Sequence, residues 1–392
     1  MKLKYLLIGL IIVIIAGVAA VIYKFCQKNH DIWIYDYVFN QHRRPQTDEI
    51  QDIIFVVVDH WEPGCNVPEE NSRLVNSWMK GYRELADRHI DSDGKKVQHT
   101  FFYPLEAFRG YQVDSLVQLC REGYGDIELH WHHRDDNSES FRRKLREGLD
   151  SFFVHGALVS PDSQTRFAFV HGNFALDNSL HIDGQNYCGV NNEISILLEE
   201  GCFADFTYPA LEQPSQPKLI NKIFYATDDP LHQKSHNDGV ESRVGIITDE
   251  NQLMIFQGSM MINWCDWRFK THPAIDDGNL YYAMMPSLER FDLWKKADIH
   301  VLDGPNWVFV RPYTHGCLES YGGIEANLGA AMDMMLTEVE KKYRDSDKYR
   351  LHYMTAREAY NVVKAAEAGK TGNPNDYRDF IIKPYLYEPL IR

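Results

Sequence analysis

A chain of 392 residues with 44% hydrophobic and 13% aromatic residues has enough apolar mass for a large core, which excludes global disorder. Its 41 Lys and Arg against 56 Asp and Glu leave a formal net charge of −15. Phosphate backbones and anionic lipids are held by clustered cations, and no cluster exceeds runs such as Arg142-Arg143-Lys144, so nucleic acid is not expected as a partner.

The run from Tyr5 to Tyr23 is apolar and uncharged, with Lys2 and Lys4 before it and Lys24 and Lys28 after. At about 1.5 Å per residue it crosses a hydrocarbon core of about 30 Å. Residues 1–24 are therefore predicted to be a transmembrane anchor rather than a cleaved signal, for which Ala19-Ala20 is a weak site. Basic residues at both ends leave the orientation open, and the short N-terminal tail favours an extracytoplasmic globular part. Residues 25–50 read as a polar and aromatic linker, and residues 51–392 as one domain.

Within that domain short apolar runs alternate with helical spacing. "IIFVVVD" (53–59) is a β-branched run suited to a buried parallel strand. Residues 71–90 have helical spacing through Leu74, Trp78, Tyr82 and Leu85. "VQHTFFYP", "DIELH", "TRFAFVHG" and "ADFTYP" read as further strands, the last starting near Asp205. Helices are predicted over 113–122, 139–154 and 192–200, with Phe141, Leu145, Leu149 and Phe152 along one face of the second. Residues 210–280 look like an insertion, loop-like over 213–240. "LMIFQGSMMINW" and "NWVFVRPYTHG" are late strands, and 323–344 and 355–368 late helices. Such alternation implies parallel pairing through crossovers and an α/β barrel. The seven cysteines (26, 65, 120, 188, 202, 265, 317) form no CxxC pair, so neither a dense disulfide framework nor thiolate zinc binding is expected.

In barrels of this kind the chemistry sits where strands give way to loops. The first strand ends in Asp59, His60, Trp61 and Glu62. The third predicted strand ends in His130, His132, His133, Arg134 and Asp135. "VHGN" brings His171 and Asn173, and "YTHG" brings His315. Four strand ends thus carry histidine directly after apolar residues. Imidazole and carboxylate suit zinc or another divalent first-row ion. Such an ion makes hydroxide available near neutral pH, a carboxylate accepts the proton, and a histidine protonates the leaving group. Alternation along an extended segment puts His130 and His132 on one face and His133 on the other, which favours His132 as a ligand but leaves His133 open. Trp61, Trp131 and Trp267 could stack on sugar rings or pack in the core. His99, His155, His232, His236, His272, His300 and His352 show no partner pattern and read as structural.

The order of these motifs resembles the polysaccharide deacetylase family of carbohydrate esterases, over roughly residues 50–320. The carriers are Val58-Asp59-His60 in place of the family's first motif, Thr100-Phe101-Phe102, Asp126-Ile127-Glu128-Leu129-His130, the stretch 170–178, and Thr314-His315-Gly316. The resemblance implies a distorted (β/α)7 barrel after one N-terminal transmembrane helix. It implies Asp59 as base, His315 as acid, and His60, His130 and His132 or His133 as ligands of Zn2+ or a similar ion. Glu62, Trp61, Arg134, Asp135, His171 and Asn173 would then line a glycan substrate. The departures are His60 where the family has an aspartate, Arg134 four residues after His130, and no arginine in the third motif. The expected activity is deacetylation of an N-acetylated sugar in a cell-surface polysaccharide. A glycoside or ester hydrolase on the same barrel and a non-catalytic glycan-binding or assembly protein are the alternatives.

Overall fold

The computed structural model describes residues 2–44, 48–63, 68–264 and 274–388, so Cys65, Cys265, Trp267 and His272 lie outside the described residues. The strands that build the site are, in chain order, β1 (Gln51–Phe55), β2 (Val57–His60), β3 (His99–Pro104), β4 (Gly125–Trp131), β5 (Phe167–His171), β6 (Cys202–Asp205), β7 (Ile223–Thr227), β8 (Val240–Glu241), β9 (Gln252–Phe256), β10 (Asn279–Leu280), β11 (Trp307–Val310), β12 (Tyr313–Thr314) and β13 (Tyr349–Tyr353). The main helices are α1 (Lys2–Gln27), α2 (Pro68–Ala86), α3 (Gly110–Arg121), α4 (Ser138–Val154), α5 (Glu193–Glu199), α6 (Leu288–Lys295), α7 (Ala330–Val339) and α8 (Ala356–Glu367).

The class is mixed α/β, as the alternation predicts. Ten strands pair in the order β8-β7-β9-β6-β5-β4-β3-β2-β12-β10, and three more in the order β11-β1-β13. All pairings from β10 across to β9 are parallel, and β7 and β8 add an antiparallel edge. The predicted first strand breaks at Val56: β1 pairs with β11 and β13, and β2 with β12 and β3. The expected closed barrel is not seen, because among the described residues no ladder joins β8 to β10. The sheet curls instead, and side-chain bonds span part of the gap. The buried Arg311 guanidinium donates to the carbonyls of Phe206 (2.8 Å) and Tyr208. Gly258 lies so close to the Arg311 carbonyl that a Cβ there would stand 2.6 Å from it.

Alternation along the strands sorts the core into two clusters. Ile54, Val56, Val58, Phe102, Ala168, Val170, Ala204, Met254 and Phe256 face inward. Val57, Phe101, Tyr103, Ile127, Leu129 and Phe169 face outward, against Trp78, Tyr82, Leu116, Phe141, Leu145 and Leu149 of the helices. The same period carries His60 and His130 onto the inner face at the strand ends and Asp59 onto the outer one. α8 begins at the other ends of the strands, where its capping Thr355 hydroxyl donates to Asp126 (2.6 Å) and the Ala356 amide to the Thr100 hydroxyl (2.7 Å).

α1 contains a stretch, Gly9–Gln27, long and apolar enough to cross a membrane, and none of it is buried against the domain. The segment read as a linker packs on the 210–280 region. Trp33 is buried with Ile220 and Met260, and Asp36 pairs with Lys222 at 2.8 Å with both side chains buried. Lys28 reaches Glu212 at 2.6 Å, and Asn29 donates to the Glu212 carbonyl at 2.7 Å.

Asp205 ends β6 rather than starting a strand, and is fully buried with its carboxylate on the Thr207 amide (3.0 Å) and hydroxyl (2.7 Å). Burial pushes its carboxyl up to about 7 against the lowering effect of those bonds. A raised folded-state pKa means that the folded chain holds this proton where the unfolded chain has lost it. Its contribution is full at acid pH and disappears as pH rises through 7. Chemical denaturation of Asp205→Asn and the parent at pH 5 and pH 8 should show the parent losing on the order of a few kcal/mol relative to the variant. Equal differences at the two pH values would contradict the assignment.

Candidate metal centre

Three donors meet at the mouth of the curled sheet. His130 ends the inner face of β4, His132 continues that face past the strand, and Glu62 follows β2. One ligand atom from each lies within 4.8 Å of the other two. His130 Nε2 is 2.7 Å from Glu62 Oε1 and 3.3 Å from His132 Nε2, and His132 Nε2 is 3.6 Å from Glu62 Oε1. Glu62 Oε1 is buried and has no well-directed hydrogen bond despite that closeness. Lone pairs converging on one point rather than on a hydrogen are what a cation needs. The donor set of two imidazoles and one carboxylate, with the remaining position open, fits a catalytic zinc or a similar divalent ion.

The surroundings bias this group toward metal binding. Burial alone would push the Glu62 carboxyl up, but the His130 contact and the charges of His130, His132 and His315 reverse this and bring it to about 2. Glu62 is therefore a carboxylate at any working pH. Glu106, just beyond β3, stands 2.5 Å from His132 Nδ1 and accepts from the His132 amide at 3.3 Å. That bond places the His132 proton on Nδ1 and frees Nε2 as a donor to metal, the usual arrangement for a ligating histidine.

Two more histidines flank the group. The His60 ring centroid is 4.7 Å from that of His130 and 4.9 Å from that of His315. Burial is the largest cause holding His315 below the usual imidazole range, so it is neutral at pH 7. Beyond His60 opens a cavity of about 250 Å³ lined by Phe174, Leu211, Glu212, Asp277, Asn279 and Tyr313 among others. The Tyr313 hydroxyl donates to Asp277 at 2.9 Å, and its ring lies 5.8 Å from His60.

The remaining sequence candidates are placed differently. Asp59 faces outward and is fully buried; it accepts the Gly316 amide (2.6 Å) and contacts His99 Nδ1 (3.1 Å). It steadies the turn that carries His315 instead of entering the donor group. Trp61 is completely buried between Trp78 (5.7 Å) and Tyr103 (6.0 Å), so it packs in the core and presents no face to a sugar. Trp131 is likewise buried, stacked on Phe141 at 4.9 Å. His133 points outward as the alternation requires, and meets His171, with ring centroids 4.5 Å apart, away from the Glu62 group. Asn173 donates to the His133 carbonyl at 2.8 Å and is a loop tie. Arg134 lies over the Tyr187 ring at 5.5 Å, and Asp135 is an exposed turn residue with φ 49°. Glu106 escaped the sequence reading, and His99, read there as structural, was given no partner. Glu106 falls past Pro104, beyond the strand end, and His99 begins its strand instead of ending it.

No family model matches the chain, and no curated protein matches it in sequence. Among solved structures, it is similar to an α-mannosidase from Enterococcus faecalis V583 (TM-score 0.39, 12% identity, 81% of this chain and 29% of that one). It is also similar to the 4-α-glucanotransferase from Thermococcus litoralis (TM-score 0.39, 11% identity, 80% and 40%). A third is a GH57 branching enzyme from the hyperthermophilic archaeon Thermococcus kodakaraensis (TM-score 0.34, 8% identity, 77% and 72%). The chain thus spans less than half the length of the first two. Likeness this distant fixes neither activity nor substrate.

Proposed function

We propose that this chain is a membrane-anchored, metal-dependent hydrolase of carbohydrate that removes acetyl groups from an N-acetylated sugar in a cell-surface polysaccharide. The observation that carries the reading is the Glu62–His130–His132 group, with Glu106 orienting one ligand and two histidines beside it. When bound there, a divalent ion supplies Lewis acidity and makes hydroxide available near neutral pH. His315, neutral and next to the group, accepts a proton and returns it to the departing amine. Asp59 holds His315 in place through the Gly316 amide, and Tyr313, beside His60, lines the cavity that takes the sugar. The motif order shared with polysaccharide deacetylases supports the choice of an amide over a glycosidic bond. α1 supports the anchor, with the domain on the extracytoplasmic side.

The test uses the full-length chain in detergent micelles with N-acetylated oligosaccharides, scoring acetate against new reducing ends. Acetate alone is expected, abolished by a chelator and restored by zinc. New reducing ends without acetate would establish the glycosidase alternative. Tight glycan binding with neither product under any divalent metal would establish the non-catalytic one.

A further inference from the structure

A second donor group lies on the outer face of β4 and its neighbour β5. His133 follows β4, His171 ends β5, Cys188 sits in the loop after it, and Glu193 opens α5. All four residues are buried, and one ligand atom from each lies within 4.8 Å of the other three. His133 Nε2 is 2.9 Å from Glu193 Oε1, His171 Nε2 is 3.9 Å from the same oxygen, and Cys188 Sγ is 3.2 Å from Glu193 Oε2. The edges of a tetrahedron with zinc–nitrogen bonds of about 2.0 Å and a zinc–sulfur bond of about 2.3 Å are about 3.3–3.6 Å. The two separations from Glu193 Oε1, 2.9 and 3.9 Å, bracket that size, and Cys188 approaches the other carboxylate oxygen.

Hydrogen bonds join His133 and Cys188 to Glu193, but they leave the His171 donor atom without a partner. His171 Nε2 is fully buried, has no hydrogen-bond partner and is aimed at Glu193. Its Nδ1 meets the Asn173 amide at 3.3 Å. His133 Nδ1 faces Asp136 Oδ2 at 3.4 Å, an orienting carboxylate itself held by Ser140 and Lys144. The second oxygen of Glu193 accepts the Asp177 amide at 2.6 Å.

We propose that His133, His171, Cys188 and Glu193 bind a structural zinc ion, separate from the Glu62–His130–His132 centre. Binding expels the thiol proton to solvent and forms the zinc–sulfur bond. One thiolate and one carboxylate then cancel the charge of the ion, and the two imidazoles are neutral. A neutral complex with four protein ligands and no open position suits a closed, fully buried site. The mix of sulfur and imidazole selects zinc over the harder magnesium and calcium. The ion joins the ends of β4 and β5 to the loop before α5, and so fixes the segment that presents His132 inward.

Cobalt(II) in place of zinc tests this in the full-length chain in micelles. Of the donor groups among the described residues only this one contains sulfur, so a sulfur-to-cobalt charge-transfer band in the near ultraviolet reports it. The band should appear in the parent, disappear in Cys188→Ser and persist in His130→Ala. Cobalt bound without the band, or a band unchanged in Cys188→Ser, would overturn the site. Zinc-edge absorption fine structure of the unaltered chain is independent of whether that variant folds. It should show a sulfur shell at about 2.3 Å, and zinc-loaded protein without one also overturns the proposal. The hydrolytic reading fails separately, through absence of acetate release from protein that keeps the band.

Discussion

Under the proposed function, Glu62→Gln should abolish metal binding at the inner donor group and stop hydrolysis. The carboxylate is the only anionic donor in the group, and its pKa of about 2 keeps it charged wherever the protein is folded. An amide keeps the shape but offers a neutral oxygen and a competing N–H₂ toward two imidazoles 2.7 and 3.6 Å away. Glu106→Gln provides the graded comparison. It removes the group that orients His132 but no ligand, and outer partners of this kind are worth about 10–100-fold in affinity or activity. Glu62→Gln must exceed that, and His130→Ala should match it. Metal content by elemental analysis and acetate release, measured on the same samples, check both. Retention of metal and turnover in Glu62→Gln would remove the centre from the mechanism.

Gly316→Ala should cost more folding stability than its single methyl suggests. A Cβ at this position falls within the Asp59 carboxylate, whose oxygens already hold the Gly316 amide at 2.6 Å and face His99 at 3.1 Å. The Gly316 carbonyl is fixed by the Trp78 indole N–H at 2.8 Å. The turn therefore cannot move outward without losing that bond, and Asp59 is too short to move aside. Overpacking of a tight interior costs about 1–3 kcal/mol, and a displaced buried carboxylate adds a comparable penalty for lost hydrogen bonds. The expected result is a fall of several kcal/mol in unfolding free energy, with His315 displaced in whatever still folds. A denaturation midpoint equal to that of the parent would show that the turn is looser than these contacts imply.

Much of this was legible in the residues. Period two along the strands placed His130 and His132 together and His133 apart, and the apolar runs before Asp59, His130, His171 and His315 marked strand ends that do gather at one end of the sheet. The sequence was misleading where one strand serves two partners. Nothing in "IIFVVVD" signals that its first half pairs with β13, because "YRLHY" alternates polar and apolar residues and reads as surface. β7 was hidden in a stretch read as loop-like for its Pro, Asn and His, although "IFYAT" is buried on both faces and pairs with β8 and β9. Asp59 was assigned to the reaction because it ends an apolar run. One residue of alternation separates it from the inner face, and His99 across the ladder claims it. Cys188 was discounted for lacking a CxxC partner, yet the donors beside it come from two strands and a helix, and local spacing does not record such a meeting.

The bonds from Lys28 and Asn29 to Glu212 tie the end of α1 to the domain, at a residue that also borders the cavity beside His60. With α1 seated in a bilayer, the mouth of that cavity stands at a set height over the lipid like a tool on a rigid post. Under the proposed function its reach would then be a thin layer next to the headgroups, favouring glycan held close to the membrane over polymer farther out.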